Sequence, residues 1–221
     1  MIKAAIKRVT TRGFRSSLRD LHKEWTVLLA HRRGLRDAEG YHGQRGLRLH
    51  LGCGPDLKAG WVNIDPFYAD ADLTLDLREP LPLEADSVQV IHSEHFLEHM
   101  GYPNPVRRLL AECLRVLEPG GLFSVGVPDT RPPLEAYVTG EGEWLSEVKR
   151  IHPPGCRTVM DHVNHHFRQG REHLMAYDEE TLVLLLEDVG FVDVRRRDFR
   201  PARDGERRRD SLWVDALKPK S

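Results

Sequence analysis

The chain has 221 residues, with 33 basic side chains against 34 acidic ones and a formal charge of −1, so no global field favours nucleic acid. That length supports one domain with a substantial core, and 40% hydrophobic content without an apolar run near the ~20 residues of a bilayer span excludes stable membrane insertion. Three cysteines without paired spacing fit a reducing cytoplasm, and the basic N-terminus lacks the apolar core and cleavage site of a secretory signal.

In chain order, residues 1–34 place Leu18, Leu21, Trp25, Leu28 and Leu29 at helical spacing, which predicts an amphipathic extension. It is basic (Lys3, Lys7, Arg8, Arg12, Arg15, Arg19, Lys23, Arg32, Arg33), and a second basic run covers Arg195 to Arg197 and Arg207 to Arg209. Such runs usually form solvated faces. Gly34 to Gly46 is polar and glycine-punctuated and reads as a linker, so residues 1–46 form an arm ahead of a domain at 47–221.

The domain alternates regularly. Strands are expected at 48–51, 61–64, 73–75, 88–92, 122–127, 192–194 and 212–217, with helices at 105–117 and 179–189. The run Glu118-Pro119-Gly120-Gly121 stops the first helix, since proline cannot continue it and glycine accepts a left-handed cap. Residues 129–173, rich in Pro, Gly and His, read as an irregular insertion. Strands alternating with helices predict an α/β, doubly wound, mostly parallel sheet.

The segment Leu49-His50-Leu51-Gly52-Cys53-Gly54, followed by Asn63-Ile64-Asp65, reads as strand, tight glycine turn and second strand ending in an acid. Glycine allows backbone angles and close approaches that a Cβ forbids, and an acid at this place can accept hydrogen bonds from ribose hydroxyls. With "DLREPLP", "SEHFLEH", "RVLEPGG" and "YDEETLVLLLEDVGF" in that order, residues 47–195 resemble class I S-adenosylmethionine-dependent methyltransferases. The resemblance implies a Rossmann-like, seven-stranded sheet whose last strand inserts antiparallel. It places Gly52 and Gly54 against the methionine part of the cofactor, Asp65 on the ribose, Asp76 and the Leu77 backbone at the adenine edge, and Ser93 near the methionine. One departure stands out: only residues 55–60 separate the glycine turn from the second strand, where the family has a helix. The N-terminal arm is the expected cover. The short "GCGPDLKAGWVNID" link resembles a bacterial subgroup associated with polysaccharide and sugar biosynthesis.

His95-Phe96-Leu97-Glu98-His99 follows the fourth strand. On a helix, His95, Glu98 and His99 would share one side, within reach of one divalent ion. The spacing is similar to the ExxEH metal motif of small-RNA 2′-O-methyltransferases and ubiquinone-pathway catechol O-methyltransferases, with His95 replacing the first Glu. In that pattern His173 completes the ligand set. Histidine in place of glutamate moves preference from magnesium toward manganese or zinc. Without an ion, His95 is the general base, and His99 caps or packs. The segment Asp161-His162-Val163-Asn164-His165-His166 is read either as acceptor recognition or as a surface loop, and Tyr137 and Trp144 either as sugar-stacking rings or as loop core.

The leading expectation is a cytoplasmic O-methyltransferase acting on a hydroxyl of a saccharide or polyol, with or without a divalent metal. Methylation of a phenolic natural product and a non-catalytic cofactor-binding scaffold are the alternatives. Nucleic acid is not an expected partner, since basic residues are not interleaved with stacking aromatics. A homodimer is an open expectation.

Overall fold

The structure, a computed structural model, describes residues 10–206 and 209–220. Lys3, Lys7 and Arg8 of the basic arm and Arg207 and Arg208 of the second run lie outside the described residues.

The arm is a single long helix, α1 (Arg12–Ala38), started by Thr11, whose Oγ1 accepts the Phe14 N–H at 3.1 Å. It continues past Gly34, so the expected linker shrinks to the residues after it. Gly34 stays helical because the helix presses on another backbone there: a Cβ would stand 2.7 Å from the Thr74 carbonyl oxygen. Thr74 Oγ1 donates to the Ala30 carbonyl at 2.8 Å, and the Asp76 N–H donates to His31 Nδ1 at 3.1 Å. The other side of α1 leaves Phe14, Leu18, Leu21, Trp25 and Leu29 exposed.

Six strands form one sheet: β1 (Leu47–Leu51), β2 (Val62–Ile64), β3 (Val88–Glu94), β4 (Leu117–Pro128), β5 (Val192–Arg197) and β6 (Ser211–Leu217), in the order β2-β1-β3-β4-β6-β5. The first four strands are parallel, and β6 runs antiparallel to both neighbours, as expected for the inserted last strand. The seventh strand is a correction. Residues 73–75 make only one bridge, Leu73 to Ile64: the Leu73 backbone bonds to Asn63 and Asp65, and beyond it the Thr74 hydroxyl and the Asp76 N–H turn to α1.

The two sheet faces differ sharply. Leu49, Leu51, Ile91, Phe123, Val125 and Val214 point to one side, under α2 (Asn104–Val116) and α6 (Glu179–Val189), and make the main apolar core. The alternate positions are polar: His50, His92, Ser124 and Asp215 are buried on the opposite face. Trp213 lies across Gly126, where any Cβ would clash with its ring, and stacks on His92 at 5.8 Å.

The expected cover for this second face is corrected as well. No helix forms between β1 and β2, but residues 198–206 close over the face, while α1 packs along 73–77. Lys58 Nζ donates to Glu94 at 2.8 Å and to the Arg203 carbonyl at 2.6 Å, and the Gly205 N–H donates to Glu94 at 2.9 Å. Arg197 adds bonds to Asp204, Asp215 and Ser124. Five hydrogen-bonded ionic side chains (Lys58, Glu94, Arg197, Asp204 and Asp215) and a stacked indole replace an apolar helix interface.

Residues 129–173, expected to be irregular, instead hold three short helices: α3 (Arg131–Thr139), α4 (Glu143–Ile151) and α5 (Val159–Arg168). Prolines open α3, Gly140 ends it in a left-handed conformation, and Thr158 with Asp161 forms a capping box on α5. Ala136, Leu145 and Val148 form a separate small core there, with Trp144 packed against it.

Candidate functional site

Gly52 follows β1 with φ +66°, and a Cβ on it would meet the Phe96 ring at 2.5 Å. Both sterics and backbone therefore require glycine. Gly54, at φ +48°, has nothing within 4 Å of its Cβ position, so its backbone is open to a ligand. Its N–H donates to Asp65 Oδ2 at 3.1 Å, while Asp65 Oδ1 accepts from the Phe67 and Tyr68 N–H groups at 2.7 and 3.1 Å. These bonds fix the carboxylate at the turn; they use both lone-pair sites of Oδ1 and leave one on Oδ2 for a hydroxyl donor. An open glycine backbone beside an oriented carboxylate fits the ribose and methionine ends of an adenosyl cofactor.

The other positions expected to meet the cofactor are placed differently. The Asp76 carboxylate takes a bidentate bond from Arg78, which also reaches Glu24 on α1 at 2.6 Å. Its pKa is lowered: burial opposes ionisation, but the Arg78 bonds prevail. Leu77 is buried beside it. Ser93 is fully buried, and its Oγ has no hydrogen-bond partner.

After β3 the chain does not enter the expected α-helix. His95 adopts φ +49°, and only a 3₁₀ turn forms, at Leu97–His99. The helical stacking of positions 95 and 99 is thereby lost, which corrects the four-ligand set. Glu98, His99 and His173 come together, each offering a ligand atom within 4.8 Å of the others. His95 stands aside. Its Nε2 lies 2.7 Å from Ser211 Oγ, and its Nδ1 lies 3.6 Å from Glu98 Oε1.

Backbone carbonyls orient both remaining imidazoles. His99 Nδ1–H donates to the Glu172 carbonyl at 3.0 Å, and His173 Nδ1–H to the His166 carbonyl at 3.2 Å. Each Nε2 then keeps its lone pair, the arrangement of metal-ligating histidines. The Leu174 and Met175 N–H groups both donate to the Glu98 carbonyl, at 2.7 and 3.2 Å, and clamp His173 to the turn. Burial and the neighbouring His99 push the His173 pKa down to about 4, so it is neutral near pH 7. A cavity of about 10 Å³ beside Glu98 and His173 also meets Tyr177, whose buried Oη makes no hydrogen bond. That volume holds roughly one water or one ion. The donor set fits a divalent ion.

Sequence reasoning missed Phe96, Tyr177 and Ser211. Phe96 sits inside the motif but reads as core, and Ser211 comes from the far end of the chain with no local signal. Trp144 packs against His152 and His166 and belongs to the insertion's core, whereas Tyr137 is 52% exposed.

Residues 66–125 match the family model for a methyltransferase domain, a stretch that contains Asp76, Ser93 and the 95–99 turn. A S-adenosylmethionine-dependent methyltransferase of Archaeoglobus fulgidus has the same fold: TM-score 0.51, 16% identity, covering 87% of this chain and 94% of that one. The chain therefore has the fold of that methyltransferase, with the methyltransferase-domain model matched over residues 66–125. A Methanosarcina mazei methyltransferase aligns with TM-score 0.48 and 17% identity over 83% of this chain and 97% of its own. A phosphoethanolamine N-methyltransferase of Haemonchus contortus, solved with S-adenosylmethionine, aligns with TM-score 0.44 and 14% identity over 85% of this chain. The chain spans about half, 52%, of that enzyme's length. No curated protein matches by sequence. Among the described residues, no helix is long and apolar enough to cross a membrane.

Proposed function

We propose that this methyltransferase acts on a hydroxyl oxygen of a saccharide or related polyol, with a divalent ion held by Glu98, His99 and His173. The observation that carries the reading is the convergence of two carbonyl-oriented imidazoles and a carboxylate directly after β3. When bound, S-adenosylmethionine supplies a methyl group already activated by the sulfonium, so the protein's task is alignment and handling of the hydroxyl proton. A divalent ion at this site would hold acceptor oxygens and lower the pKa of one. Gly52, Gly54 and Asp65 would fix the donor, and Phe96 braces the glycine turn against the ion-binding turn. The saccharide class rests on the sequence resemblance of the short β1–β2 link and on the exposed Tyr137 ring of α3.

A second reading has its own observation. His95 is not among the clustered ligand atoms but lies between Ser211 and Glu98, and its side chain is 18% exposed. In an ion-free reaction His95 would take the acceptor proton, with Ser211 and Glu98 fixing its tautomer.

Transfer from labelled S-adenosylmethionine to a panel of saccharide and phenolic acceptors tests the proposal. Chelated protein should be inactive, and manganese, magnesium or zinc should restore it in the wild type but not in His99→Ala. Phenolic products alone would overturn the acceptor class. Cofactor binding without any product would favour a scaffold role.

A further inference from the structure

A second group of ligand-type side chains lies in the helical insertion, apart from Glu98, His99 and His173. His152 follows α4, Cys156 lies in the connecting turn, and His162 is on α5. One ligand atom from each lies within 4.8 Å of the others. His152 Nδ1 and His162 Nδ1 are 3.1 Å apart. Two nitrogens on one tetrahedral zinc stand about 3.3 Å apart, given bonds of about 2.0 Å. The His165 ring is a further imidazole at hand, with its centroid 4.4 Å from that of His152.

The backbone sets these groups in place without an ion. The Cys156 N–H closes a turn on the Pro153 carbonyl at 2.9 Å. Asp161 Oδ2 accepts from the Arg157 and Thr158 N–H groups, which fixes the entry to α5 just after the cysteine. His162 is 4% exposed, and Cys156 is half-buried and free of any disulfide. The unit needs such a fastening. Its own buried apolar core is Ala136, Leu145 and Val148, too little to hold three short helices by packing alone.

We infer that His152, Cys156 and His162 bind one zinc ion, with His165 as the fourth ligand, and that this ion fastens α4 to α5. Thiolate with imidazoles is a zinc donor set, and binding releases the thiol proton. The site acts on the candidate active site through α5, because the His166 carbonyl on that helix orients His173. It does not depend on the acceptor or on the ion proposed at Glu98.

Cobalt(II) titration of the metal-free, reduced protein tests this, because a thiolate ligand gives a charge-transfer absorption that an oxygen–nitrogen site lacks. The wild type and a Glu98→Gln/His99→Ala variant should both show that band at one equivalent and lose it when zinc is added. Cys156→Ser should abolish the band, with its far-ultraviolet circular dichroism unchanged, and weaken zinc binding by about tenfold or more. Hydrogen exchange across residues 143–168 should slow with zinc in the wild type and in Glu98→Gln/His99→Ala but not in Cys156→Ser. Absence of the band in the wild type, or its survival in Cys156→Ser, overturns the inference.

Discussion

His95 Nε2 lies 2.7 Å from Ser211 Oγ, so the first imidazole of the "HFLEH" motif reaches Glu98 only through Nδ1, at 3.6 Å, and stays outside the Glu98, His99 and His173 cluster. The two histidines of one motif therefore have separable chemistry. If an ion on Glu98 and His99 activates the acceptor, His99→Ala should remove nearly all turnover, and His95→Ala should cost much less. If His95 is the base, His95→Ala should lower kcat by roughly a hundredfold or more. Ser211→Ala should then shift the pH profile of kcat while leaving cofactor affinity intact. Steady-state kinetics of the three variants decides between these outcomes.

The glycine turn makes a sharper prediction. Gly52→Ala introduces a Cβ at a left-handed backbone position and into the Phe96 ring. Strain of about 1–3 kcal/mol is expected together with loss of cofactor binding. Asp65→Asn keeps the shape but weakens charge-assisted bonds worth about 1.5–3 kcal/mol, so affinity should fall roughly tenfold to a hundredfold. Calorimetric titration with S-adenosylmethionine measures both.

Much of this was legible because the local signals and the tertiary fold agree. The period of Val106, Leu109, Leu110 and Cys113 gave α2 within a residue or so, and the Asp65 and glycine positions followed from turn chemistry. The errors share a cause: long-range partners override local pattern. Residues 73–75 read as a strand, yet only Leu73 bonds along β2, and Thr74 and then Asp76 turn to α1. Residues 95–99 read as a helix, yet the left-handed His95 and its Ser211 contact across the sheet break it. The insertion looked irregular because Pro and Gly divide it into helices of nine or ten residues, too short for a periodic signal. The polar sheet face was invisible for the same reason, since His50, His92 and Trp213 meet only when β1, β3 and β6 are assembled.

That face predicts acid sensitivity. Burial, with Lys58 and His92 adding to it, pushes the His50 pKa down from 6.5 to about 3. His92 is also lowered, because burial outweighs its bond to Glu94. Both are neutral in the folded chain, while the unfolded chain takes up protons below pH 6.5. Stability is thus full above that pH and declines below it, by about 1.4 kcal/mol per pH unit for each such histidine until its folded pKa is reached. Glu94 acts in the same direction at lower pH. Burial alone would raise its pKa, but bonds from His92 and Lys58 hold it below 4.5, so its contribution is lost as that carboxylate protonates. Urea unfolding at about pH 7.5 and about pH 5.5 should show the loss, and His50→Phe should flatten it.

Trp213 joins this face to the sheet, with Arg197 4.5 Å over its ring and His92 stacked beneath. Trp213→Ala should cost about 3–5 kcal/mol, the range for deleting a buried indole. Gly126→Val should be comparably damaging, because its side chain would occupy the place of that ring. Thermal unfolding of the two variants checks the pair.

The most direct test of the account is methyl transfer from labelled S-adenosylmethionine to saccharide acceptors, measured with chelated protein before and after manganese is restored. Wild type, His99→Ala and His173→Ala are compared in the same assay. Metal-dependent transfer is expected in the wild type and none in either variant, with cofactor binding retained in all three. Transfer that persists under chelation and in both variants, or a wild type that binds no S-adenosylmethionine, would contradict it.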